Sequence, residues 1–151
     1  MEYFLNMKKS ASIIVLILIG VTACTTKPEV FSTNEGAIRG YDPVMYFTSG
    51  NPEKGSEQFV FHFNGADWHF TSAENLEMFK PNPEKYMPQF GGYCAYAVSQ
   101  NYTYETDPYA FTIVEGKLYL NYDKETSVAW NEKRDEYIVS ANENWPEVLK
   151  K

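Results

Sequence analysis

Asn64-Gly65 constrains the fold of this chain more than any other feature. The dipeptide suits a two-residue turn whose twist matches an antiparallel hairpin. With that turn, Phe63 pairs with Ala66, Phe61 with Trp68 and Phe59 with Phe70. Side chains alternate between faces along a strand. One face therefore carries Phe59, Phe61, Phe63, Ala66, Trp68 and Phe70, and the other Gln58, Val60, His62, Asp67, His69 and Thr71. A slip of one residue would turn the aromatic set into water, so the pattern pins the register. A second hairpin is predicted at Glu115-Gly116, with Phe111, Ile113, Leu118 and Leu120 on one face and Thr112, Val114, Lys117 and Tyr119 on the other.

Helices are predicted between and after the hairpins. Thr71-Ser72-Ala73-Glu74 reads as a capping box with Thr71 as the N-cap. The helix it opens buries Leu76 and Phe79 and stops at Pro81. Asn82-Pro83 starts a short turn that Pro88 ends, with proline at the first helical position. Gly91-Gly92 opens a segment over residues 93–99 that reads as a helix. Asp123 caps a longer helix carrying Val128, Ala129, Tyr137 and Ile138, and Asn144-Trp145-Pro146 restarts a final turn. Strands and helices are grouped rather than strictly alternating. The expected class is α+β: a small antiparallel sheet of hairpins, several short helices and one longer C-terminal helix.

The N-terminus reads as an export signal. Lys8 and Lys9 precede an unbroken apolar run from Ala11 to Gly20, followed by Val21-Thr22-Ala23-Cys24. Charge, apolar core and small residues before a cysteine mark a lipoprotein signal peptide at 1–23, with acylation at Cys24. The run is shorter than the ~20 residues that span a bilayer. Several acyl chains on one residue anchor stably where one chain does not. The expected place is the cell envelope, lipid-anchored and facing the periplasm or cell exterior. Residues 24–36 read as a polar, flexible tether and 37–151 as one domain. Cleavage before Cys24 removes Glu2, Lys8 and Lys9, so acids fall from 20 to 19, bases from 13 to 11, and formal charge moves from -7 to -8. Such an acidic domain is a poor partner for nucleic acid.

Gly40-Tyr41-Asp42-Pro43-Val44 with Tyr46-Phe47 is followed by Asn64-Gly65 with Trp68 and Phe70, and by Ser72-Ala73-Glu74-Asn75 with Phe79. Pro83 with Lys85-Tyr86, and then Pro88-Gln89-Phe90-Gly91-Gly92-Tyr93-Cys94-Ala95, complete a pattern from Arg39 to Val98 that resembles a YHS domain. Asp107-Pro108 through Leu120, and Trp145-Pro146, resemble the longer exported form of that family. The resemblance implies a small metal-associated domain of the kind found beside copper-transporting ATPases and in some oxygenase subunits. That implication belongs to a cysteine-bearing version. Met45, Thr71 and Asn75 stand here where that version has its three thiols. Soft thiolates select copper(I) or zinc, so the cysteine-type site does not carry over.

Several constellations remain as candidates. His62 and His69 are the only histidines, and the hairpin register makes them diagonal neighbours with Asp67 across from His62. Diagonal neighbours lie ~7–8 Å apart, a span two imidazoles bridge to one ion. The bland alternative is a solvated strand face. With Cys24 spent on lipid, Cys94 is the one remaining thiol. It follows two glycines that permit close backbone approach, and it opens a predicted helix whose N-terminus favours thiolate. Its apolar neighbours favour burial instead. Tyr41, Asp42, Tyr46, Gly91, Gly92, Tyr93 and Tyr96 form an aromatic and acidic group that would line a cleft, or the rim of a tyrosine-rich core. Tyr102, Tyr104, Glu105 and Asp107 lie in a polar loop that offers a contact surface.

Two functions follow. One is a non-catalytic envelope lipoprotein that binds a transition metal such as copper, with Cys94, Met45, His62, His69 and Asp67 as the ligand pool. The other is a metal-free module that meets a protein or small ligand through its tyrosines. A thiol enzyme needs a base beside the thiol, and nothing in the sequence puts either histidine next to Cys94.

Overall fold

Both hairpins form at the expected turns. The computed structural model describes residues 26–151, so the signal peptide at 1–23 and the acylation site Cys24 lie outside the described residues. The first hairpin joins β3 (Ser56–Phe63) to β4 (Ala66–Phe70), with Phe63 opposite Ala66, Phe61 opposite Trp68 and His62 opposite Asp67. The second joins β5 (Asp107–Val114) to β6 (Lys117–Asn121), with Ile113 opposite Leu118 and Phe111 opposite Leu120. Asn64 and Glu115 both adopt positive φ, and Gly65 and Gly116 follow them, as a primed turn requires. A third, minimal pair links β1 (Ser32–Thr33) to β2 (Gly36–Ala37). Each pair is its own two-stranded antiparallel sheet, and helices fill the space between them, which makes the domain α+β.

The first register breaks where regular pairing would join Phe59 to Phe70. Phe70 pairs with Ser56 instead, across an irregularity between Ser56 and Val60. The cause lies just upstream. Gly55 donates its N–H to the Gly40 carbonyl at 2.9 Å, and any side chain there would collide with the His69 backbone. The strand bulges to let Gly55 in.

β6 divides the interior into two cores. Leu118 and Leu120 face one that holds Trp68, Phe70, Phe79, Tyr46 and Tyr86. Tyr119, pointing the other way, joins Phe90, Tyr93, Val98, Trp130, Ala141 and Val148. Both faces of β6 are therefore buried, Tyr119 included, while Ile113, near the hairpin tip, is exposed. Helices α5 (Lys124–Glu132) and α6 (Arg134–Val148) supply the packing that buries the second face.

The helices differ from expectation in three places. Ser72, not Thr71, caps α2 (Ala73–Phe79) and accepts the Asn75 N–H, because Thr71 is engaged elsewhere. The C-terminal helix is two helices, broken at Lys133 (φ -135, ψ 32), where the N–H folds back on the Trp130 carbonyl. α6 then runs on through Pro146 without a restart. Tertiary contacts hold it: the Asn144 amide donates to the Val98 and Ser99 carbonyls, each at 3.0 Å, and Trp145 packs on Phe90 and Tyr93. Between them lie α1 (Met45–Thr48), α3 (Pro83–Tyr86) and α4 (Ala95–Ser99).

The tether expected over 24–36 is folded into the domain from about residue 27. Val30 is buried in the first core and Phe31 packs on the second. The Phe31 N–H donates to the Gly91 carbonyl, and Lys27 N–H to the Leu149 carbonyl. Two apolar residues in an otherwise polar stretch suffice to dock it. No helix among the described residues is long and apolar enough to cross a membrane.

Candidate functional site

Asp42 is fully buried and surrounded by donors. The Val44 N–H donates to Oδ1 at 2.8 Å. Oδ2 accepts from the Thr71 N–H at 2.8 Å, the Thr71 hydroxyl at 2.9 Å and the Asn75 amide at 2.7 Å. The same Asn75 nitrogen lies 3.2 Å from Met45 Sδ. Met45, Thr71 and Asn75 therefore meet at one point, and they are the three positions where the YHS resemblance carries thiols. Here the point is a satisfied hydrogen-bond network with one thioether at its edge. It ties α1, the end of β4 and α2 together, which is a structural role.

The metal ligands suggested by the hairpin do not gather. His62 Nδ1 lies 2.7 Å from Asp67 Oδ1, an exposed pair across the strands. His69 instead leans against β2, so that a Cβ on Gly36 would come within 2.9 Å of its Cδ2. Met45 is held by Asn75, while Cys94 contacts Asn121. Among the described residues no three His, Cys, Asp or Glu side chains form a metal-binding group. His62 and Asp67 pair with each other, while Cys94, Met45 and His69 each serve a separate contact, so the five side chains do not converge on one point.

Of the two arrangements open to the tyrosines and glycines, a cleft or a core rim, the group as a whole does not line one cleft. Tyr46 is buried in the first core and donates its hydroxyl to the Pro108 carbonyl; burial raises its pKa. Tyr41 sits edge-on to Tyr109, with Lys54 over its ring. Tyr93 donates to the Pro28 carbonyl, and Tyr96 packs edge-on to Tyr137. Gly91 and Gly92 serve packing: a side chain on Gly91 would overlap the Glu29 carbonyl, and one on Gly92 would press on Ile38 at 2.8 Å.

What the structure does assemble is a cavity beside Cys94. It encloses about 200 Å³ and is lined by Cys94, Tyr96, Ala97, Tyr102, Tyr104, Tyr122 and Thr126. Its walls come from α4, the loop that follows it, and the junction of β6 with α5. Cys94 is the N-cap of α4 rather than a residue inside the helix, and its backbone N–H donates to the Tyr104 carbonyl. The thiol is 2% exposed and donates to Asn121 Oδ1 at 3.7 Å. Burial raises its pKa, against a smaller opposing pull from the backbone N–H groups of Ala97, Tyr122 and Tyr96. Oδ1 of Asn121 also accepts the Tyr96 N–H at 3.1 Å, which fixes the amide orientation. Asn121 Nδ2 is then left buried without a hydrogen-bond partner among the described residues.

Around the cavity mouth the aromatic rings are open to solvent. Tyr102, Tyr104 and Tyr122 are 47%, 48% and 42% exposed, and Tyr104 meets Tyr122 edge-on at 5.0 Å. A second hollow of about 330 Å³ adjoins it, lined by Tyr96, Tyr122, Asp123, Glu125, Thr126 and Ala129. Asp123 caps α5 by accepting the Thr126 N–H at 2.7 Å, and the hydrogen bonds from Thr126 lower its pKa. Sequence reasoning had named Cys94, Tyr96, Tyr102 and Tyr104 but missed Asn121, Tyr122 and Thr126. One signal for them was present: Asn121 ends an apolar strand, Leu118-Tyr119-Leu120, where a polar side chain has to find a buried partner. Comparison with protein-family models, with curated proteins and with solved structures returns no match.

Proposed function

We propose that this chain is a non-catalytic, lipid-anchored envelope protein whose YHS-like domain binds a small ligand or a protein segment in the tyrosine-lined cavity beside Cys94. The observation that carries this reading is the cavity itself: four tyrosines and a buried thiol around about 200 Å³. Grouped, half-open aromatic rings give large contact area at low entropic cost, which is why they mark binding surfaces. The YHS assignment is supported by the meeting of Met45, Thr71 and Asn75 around Asp42. Lipid anchoring is supported by Lys8-Lys9, the apolar run and Val-Thr-Ala-Cys24. In this reading the thiol serves packing rather than chemistry, since burial holds it in the neutral form.

The test is amide-shift mapping of the full-length protein in maltoside micelles against an aromatic and aliphatic fragment set, with a parallel copper(I) titration. Shifts should concentrate on Tyr96, Ala97, Tyr102, Tyr104 and Tyr122. Stoichiometric copper(I) binding centred on Met45 or Cys94, with no fragment response, would restore the metal reading instead. Mass spectrometry of the native N-terminus should show an acylated Cys24.

A further inference from the structure

We propose that the groove formed by the cavity and its adjoining hollow selects an organic cation, of the quaternary ammonium or alkylated amine class. This rests on the reading of the cavity as a binding site and names the chemistry it takes. Three observations carry it. Aromatic rings offer a negative face to a cation, and Tyr96, Tyr102, Tyr104 and Tyr122 surround the inner cavity. The adjoining hollow shares Tyr96, Tyr122 and Thr126 with the cavity and adds two carboxyl groups, Asp123 and Glu125. Among the described residues no lysine or arginine lines either space. Lys27, the cation held at the nearby loop, donates to the Thr103 hydroxyl at 3.0 Å.

Size and polarity narrow the class further. At about 200 Å³ the inner cavity falls below the ~300–1,000 Å³ of sites for drug-sized ligands, so it takes a compact group. Its floor is apolar, made by Ala97 and the buried Cys94. A metal ion or an ammonium ion keeps a tight hydration shell and gains little from such walls. A methylated ammonium is weakly hydrated, fills apolar space and keeps its charge against the rings. The formal charge of -7 over the whole chain adds a long-range attraction for cations.

The test compares choline with its neutral carbon isostere, dimethylbutanol, by titration of the full-length protein in maltoside micelles free of choline lipids. Amide shifts of Ala97, Tyr104 and Tyr122 report the site. Choline should bind about tenfold more tightly than the isostere, and added salt should weaken choline alone. Tyr104→Leu and Tyr122→Leu should abolish the preference. Asp123→Asn, which still caps α5, and Glu125→Gln should weaken choline and leave the isostere unchanged. Both groups lie at the surface, so an unchanged amide spectrum elsewhere verifies folding. Equal binding of choline and isostere at these residues would overturn the cation preference and leave the binding site standing. Binding of neither, with fragments also silent, would remove both readings.

Discussion

Cys94 shows what burial does to a single reactive group. Its thiol is almost without solvent contact, a burial that outweighs the backbone N–H groups around it, and Asn121 Oδ1 accepts the proton that the thiol carries. Both facts favour the neutral form, so the folded chain holds the proton above the ordinary thiol value of 9.0. An unfolded chain releases it there. Stability is therefore complete below that pH and declines as pH rises through the folded value. Burial raises Tyr46, Tyr93 and Tyr119 from 10.0 as well, so the decline continues at higher pH. Urea unfolding across an alkaline series should show the first part of this slope in the wild type and a flatter one in Cys94→Ala. Superimposable slopes would mean that the thiol ionises freely in the folded protein.

Among the elements, the β3–β4 hairpin has the sharpest division of labour. Trp68 is fully buried, and its indole donates to the Phe63 carbonyl at 3.0 Å. Phe79 packs on it at 5.4 Å from the opposite side. His62 points outward to an exposed partner. Trp68→Ala should cost ~3–5 kcal/mol as a cavity-forming change, and His62→Ala should stay within about ±0.5 kcal/mol. Equal costs in urea unfolding would contradict the facing of this hairpin. The division was legible because a turn dipeptide and strict alternation are both local signals. The bulge at Gly55, the break at Lys133 and the passage through Pro146 were not. The bulge and the passage through Pro146 are set by contacts with distant segments, His69 and the α4 carbonyls, while the break at Lys133 is a local N–H to the Trp130 carbonyl that no turn residue announces. The candidate site divides the same way. Cys94 and Tyr104 stood out by residue type, but Tyr122 and Asn121 join them only because β6 ends against α4.

Over the whole molecule, the segment that enters from the N-terminus works as a strap across both cores. Val30 is buried against the first and Phe31 against the second. Between them the backbone passes so close to Gly91 that only hydrogen fits: a Cβ there would overlap the Glu29 carbonyl oxygen, and φ is +59 besides. The Phe31 N–H to Gly91 carbonyl bond, at 2.9 Å, fastens the crossing. Gly65 provides the contrast. Its φ of +74 is just as unfavourable for a side chain, yet nothing lies within 4 Å of its Cβ position. Gly65→Ala should therefore cost only the ~1–2 kcal/mol of left-handed backbone and leave the strap in place. Gly91→Ala adds a collision that can be relieved only by moving the strap, which exposes Val30 and Phe31 at ~1.5–3 kcal/mol each. Hydrogen exchange separates the two. Amide protection at Phe31 and Ile38, whose N–H donates to the Phe31 carbonyl, should collapse in Gly91→Ala and persist in Gly65→Ala. Retained protection in both variants would show that the segment tolerates displacement from Gly91, and that the two cores hold together without it.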